Sequence, residues 1–143
     1  MAEYYLSLSA FPEVLEVAEK YYGRFPENYY LGLIYAKALL KNNFYKKAAN
    51  VLKVINVLPN EGATEGRKLY KETKLMLALE EMSKDNFRKA LKYIEVSLQW
   101  PENLGVGKPY ESDIDERLED WLAYKCYAEL GDMKSAQKKL ERI

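Results

Sequence analysis

Histidine is absent from the 143 residues and cysteine occurs once, at Cys126. These counts remove the commonest general base, the commonest zinc ligand and the His-dependent triads together. A lone cysteine also excludes an internal disulfide and a multi-thiolate metal site. Cys126 lies one turn on from Leu122 in a predicted helix. With no imidazole to activate it, an inert buried thiol is expected. Gly105-Val106-Gly107-Lys108 evokes a phosphate loop, but Glu102 stands where the first glycine is needed. Pro109 also replaces the Ser or Thr that would hold magnesium, and no strand precedes it. The acids from Glu111 to Asp120 begin like a calcium loop at Asp113-Ile114-Asp115 and fail at Arg117. Helix capping and a solvated face account for that run. No catalytic residue, metal site or cofactor is expected.

Composition narrows the classes further. Lys plus Arg and Asp plus Glu each number 22, a net charge of zero. A dedicated nucleic-acid binder normally carries a basic excess, so none is expected here. Hydrophobic content of 48% with 31% charged residues fits one folded domain spanning 1–143. No apolar run approaches the roughly 18 residues needed to span a bilayer, so membrane insertion is not expected. Met1-Ala2-Glu3-Tyr4-Tyr5 lacks the basic and apolar regions of a signal peptide.

The elements that must position any site are helical, and the expected class is all-α with about seven helices and no sheet. Pro12 suits a first helical turn, and Val14, Leu15, Ala18, Tyr21 and Tyr22 keep helical spacing up to Gly23, a predicted C-terminal cap. Residues 12–26 form a leading half-unit. The next helix, 27–41, carries Leu31, Ile34, Tyr35, Ala38 and Leu39 on one stripe and turns at Asn42-Asn43. Its partner runs from about Phe44 to Leu58, with Ala48, Val51, Leu52, Ile55 and Leu58 inward, until Pro59 breaks it. A second pair covers 64–83 and 87–99 and closes at Pro101. Residues 102–112 read as a loop. Ser112 with Asp115 resembles a capping box for a helix reaching Leu130. Gly131-Asp132 then turns into a last helix from Met133.

Three of these segments repeat. Ala36, Tyr45, Ala48 and Pro59 are echoed by Ala78, Phe87, Ala90 and Pro101. Ala123, Gly131-Asp132-Met133 and Ala136 echo them again. The second-helix alanines are 42 and 46 residues apart. The pattern resembles the tetratricopeptide repeat family, whose unit is about 34 residues. The excess falls in the glycine-bearing stretches 60–66 and 102–112. The family's first-helix tryptophan and tyrosine are largely missing, and Glu81 stands where an inward aromatic belongs. Trp100 to Pro109 is also similar to helical-repeat regions of large bacterial multidomain proteins. The resemblance implies a solenoid with units at 27–60, 64–101 and 112–143, the last truncated.

In that family the first helices line a concave ligand face. The resemblance places Tyr30, Leu33, Lys37 and Lys41 there from the first unit, and Glu72, Leu75, Leu79 and Met82 from the second. Counted back from Ala136, the third gives Leu118, Trp121 and Lys125; counted from Ala123, it gives Arg117, Asp120 and Tyr124. The first count keeps the turn-to-alanine spacing. Such a surface, apolar in its middle with lysines at both ends, suits a protein or peptide segment of some acidic character. Under the opposite expectation, Leu75, Leu79, Met82 and Leu118 are core. The family's Lys/Asn/Arg carboxylate clamp is not expected, because Leu33, Lys37, Met76, Leu118 and Leu122 hold its places. The 13 tyrosines are read mainly as packing between helices. Leu140 and Ile143 finish the chain without a polar cap, which suggests a segment of a larger scaffold or self-association through the C-terminal helix.

Overall fold

The computed structural model describes residues 10–59 and 64–143. Seven α-helices and two short 3-10 turns make up the regular structure, with no strand among the described residues. The helices are α1 (Phe11–Arg24), α2 (Tyr29–Lys41), α3 (Tyr45–Val54), α4 (Glu65–Ser83), α5 (Phe87–Ser97), α6 (Arg117–Glu129) and α7 (Met133–Glu141). The chain is therefore all-α, as its periodicity predicts. No helix among the described residues is long and apolar enough to cross a membrane. Expectations on Met1–Ser9 and on residues 60–63 lie outside the described residues.

One turn geometry recurs three times. α2, α4 and α6 each end on a left-handed residue: Asn43 (φ 65°), Asp85 (φ 59°) and Gly131 (φ 77°). In each, the next N–H reaches back to close the helix: Phe44 to Leu39, Asn86 to Glu81 and Asp132 to Tyr127, at 2.8–2.9 Å. This six-to-one bond satisfies carbonyls that the helix end would otherwise orphan. Asn and Asp tolerate the left-handed conformation better than other non-glycine residues. Each turn residue stands five positions before Ala48, Ala90 or Ala136, all fully buried. The repeat is thus a repeat of backbone conformation as well as of residue type.

Internal contacts divide the chain into two compact units. The first runs to Thr73 and includes Trp100–Gly107; the second is Lys74–Gln99 with Lys108–Ile143. In the first unit α1 packs on α2 and α2 on α3. Val14, Ala18 and Ala38 form a small core there, flanked by Leu15, Ile34 and Tyr35. In the second, α5 packs on α6 and α6 on α7. Leu75, Ala78, Ala90, Ile94, Leu122, Ala123 and Cys126 are its core. Alanines at the closest points let helix axes approach, while the leucines and Ile94 fill the space between them.

Several local expectations change. Gly23 lies inside α1 and has no positive φ; Phe25 N–H closes the helix on the Tyr21 and Tyr22 carbonyls instead. Ser112 does not cap α6, which starts later at Arg117, where Asp115 takes the Arg117 N–H at 3.1 Å. Glu119 and Asp120 are buried rather than solvated. Asp120 meets Lys139 at 3.6 Å and Arg142 at 3.4 Å, so it joins α6 to α7.

α3 ends at Val54, one turn short of the predicted Leu58. The loop after α5 is the cause. Asn103 donates its side-chain amide to the Leu52 and Ile55 carbonyls, each at 2.8 Å. Its own carbonyl accepts the Val57 N–H at 2.8 Å. Leu104 beside it is 1% exposed. Stretch 102–112, read as a loop, thus holds a strap that folds back onto the first unit.

Candidate functional site

The first unit contains an open groove of about 560 Å³. Its α2 wall presents Tyr29, Tyr30, Leu33 and Lys37; its α4 wall presents Glu65, Gly66, Lys68, Leu69 and Glu72. Val57 and Leu58 form a third side. Helical spacing explains the α2 set, since residues three and four apart share a face. Asn28 fixes where that helix starts by accepting the Leu31 N–H at 3.2 Å. Tyr30 is 52% exposed and Leu58 66% exposed, so apolar area faces solvent at the groove mouth. Leu33 is buried and contributes to the floor, with Gly66 close against it.

The groove is electrically mixed. Lys37 Nζ lies 3.8 Å from Glu65 Oε1, with both side chains substantially exposed. Such a pair is screened by solvent and is worth little. In the same unit the Arg67 guanidinium lies over the Trp100 ring at 4.3 Å and near Tyr70 at 5.6 Å. Burial raises the Tyr70 hydroxyl pKa, partly offset by that guanidinium.

Sequence-selected residues Tyr30, Leu33 and Lys37 meet at this groove. Lys41 is exposed at the end of α2 and does not line it. In the second unit Leu75 is buried in the core and offers no free surface; its ring of alanine and leucine neighbours claims it for packing. Met82 packs on the same core. Leu79, Leu118 and Trp121 are exposed. Trp121 stacks on Tyr124 at 5.4 Å, and Lys125 Nζ lies 5.3 Å from the Trp121 ring centre. Asp120, from the other way of counting the third repeat, is 3% exposed and belongs to packing. The residues selected by the resemblance did not include Tyr29, Val57, Leu58 or Leu69. Leu58 was read as inward on a helix that in fact stops before it.

A second cavity, of about 670 Å³, is lined by Lys108, the acidic stretch 111–116, Arg117, Asp120 and Arg142. Its acids are largely engaged by cations. Arg117 grips Asp115 at 2.8 and 2.9 Å, and Arg142 reaches Glu116 at 3.1 Å. No group of three or more His, Cys, Asp or Glu that could hold a metal ion occurs among the described residues. The shifted carboxylates lie elsewhere. The Asn86 amide holds Glu81 low, and Ser135 holds Asp132 low. Both are helix-end contacts. Burial pushes the Cys126 thiol up, which disfavours its thiolate form.

No family model matches this chain, and no curated protein or solved structure matches it.

Proposed function

We propose that this protein is a noncatalytic, tetratricopeptide-like interaction module that takes an extended protein or peptide segment in the groove of its first unit. The observation that carries the reading is the meeting of Tyr30, Leu33 and Lys37 with exposed Leu58 around one concavity. Tyrosine combines contact area with a polar tip at small entropic cost, which suits a recognition surface. Lys37 and Lys68 at the rim favour a segment with apolar anchors and some acidic side chains. Leu118, Trp121 and Lys125 add a second apolar and cationic face along α6 in the other unit, where Leu79 of α4 is also exposed.

Selection from a displayed random-peptide library tests this. Binders are expected to shift the NMR signals of Tyr30, Leu33 and Lys37. Binding is expected to weaken about tenfold or more with Tyr30→Ala, the loss of a buried aromatic contact. Binders that map elsewhere, or an unaffected Tyr30→Ala, would sink the proposal.

A second reading has its own observation. Met133, Leu140 and Ile143 are exposed at 60%, 40% and 48% on or just after α7. On this reading α7 packs against another copy or another domain with no separate ligand.

A further inference from the structure

The groove's third side is built by a segment whose sequence periodicity and observed backbone pairing point to different conformations. Ala48, Val51, Leu52, Ile55 and Leu58 keep the 3-4 spacing of a helix face up to Pro59. A helix continued to Leu58 would give the Asn56, Val57 and Leu58 N–H groups to the Leu52, Lys53 and Val54 carbonyls. In the structure Val57 N–H goes to the Asn103 carbonyl, and the Asn103 amide takes the Leu52 and Ile55 carbonyls. The Val57 N–H and the Leu52 carbonyl are thus paired in either state, by different partners. Val54, Ile55 and Val57 are β-branched, which slightly lowers their preference for the helix.

We propose that Trp100–Gly107 is a releasable clasp: docked, it holds 55–58 extended as the groove's third side; released, it lets α3 run on to Leu58 and withdraws that side. Docking rests on few groups. Leu104 fills a site against Gly66, where a Cβ would lie 3.4 Å from the Leu104 Cβ. Gly105 takes φ 71° so that its backbone can pass the Val57 carbonyl, which a Cβ would meet at 2.8 Å. Arg67 over Trp100 holds the near end. Beyond the clasp, residues 108–113 are all exposed, so release of the strap uncovers Leu104 but unpacks no side chain of that stretch. Occupancy of the groove and docking of the clasp are then coupled, because a ligand touching Val57 and Leu58 favours the docked state.

The clasp rests on the groove reading for its purpose, but its existence can be tested without a ligand. The probe is the set of 13Cα and 13C′ chemical shifts of Ile55–Leu58 in the full chain. They are compared between the wild type, Asn103→Asp, and the double variant Asn103→Ala with Leu104→Ala. Asp keeps the size of Asn103 but cannot donate to the two carbonyls. Both variants are expected to move these shifts from extended toward helical values, with the Ala123 and Cys126 signals in the second unit unmoved. Shifts that stay extended, or collapse to coil values, would overturn the clasp. A groove that captures no peptide would leave this result intact, and unmoved shifts would leave the peptide selection intact.

Discussion

At Gly105 the backbone is left-handed, with a carbonyl pressed against the place a Cβ would occupy. Gly105→Ala therefore adds a φ penalty of about 1–2 kcal/mol to a steric clash. A loss of about 2 kcal/mol or more in urea unfolding is expected; an unchanged midpoint would mean the strap is not docked in solution. Glu81 is a second instructive position. It is buried, with the Asn86 amide 3.0 Å away and Lys89 at 3.5 Å. The Asn86 hydrogen bond is the main cause of its lowered pKa, helped by Lys89 and Lys84 and opposed by burial. A folded-state pKa below the unfolded one gives stability that is present above the ordinary carboxylate range. It is lost as pH falls through the lowered value. Glu81→Gln is expected to flatten the acid side of a Tm-against-pH profile, and a variant profile parallel to the wild type would contradict this. The sequence marked Glu81 as a departure, but its partner Asn86 could not be picked out. That contact depends on the left-handed turn at Asp85, which brings residue 86 back over the helix end.

Among the elements, the three Schellman-type turns show what a sequence can carry locally. Asn42-Asn43, Lys84-Asp85-Asn86 and Gly131-Asp132 are turn signals in themselves, and all three helices end there. The end of α3 is the opposite case, since its carbonyls are capped from about 50 residues away by Asn103. Close packing supplies another prediction. A Cβ at Gly32 would lie 2.6 Å from Ile55 Cγ2 and 3.2 Å from Tyr22. Gly32→Ala gains about 1 kcal/mol of helix propensity but overpacks a buried contact at a cost of about 1–3 kcal/mol. The net expectation is a loss of stability, read as a lower urea midpoint. Asp120→Ala strips the α6–α7 junction of the carboxylate shared by Lys139 and Arg142. A loss of about 2 kcal/mol is expected, below the 3–5 of a fully buried pair because Arg142 is half exposed. A double-mutant cycle with Arg142→Ala measures how much of that loss is the ion pair.

For the whole molecule, the two readings of function differ in assembly. A module with its own groove is expected to stay monomeric by light scattering across a wide concentration range. A mass that rises with concentration, and falls back with Met133→Asp, would favour stacking through α7. The sequence by itself determined the all-α class and the three turns, because helical periodicity and turn chemistry act over a few residues; Tyr30, Leu33 and Lys37 were selected by the tetratricopeptide resemblance. It also singled out Trp121 by counting back from Ala136. Only the tertiary structure decided that Leu75 is core while Leu58 is exposed, that α3 stops at Val54, and that the chain divides into two units. Each of those outcomes turns on which distant group takes a carbonyl or fills a cavity. Asn103 and Leu104 look like ordinary loop residues until the fold brings them to the end of α3.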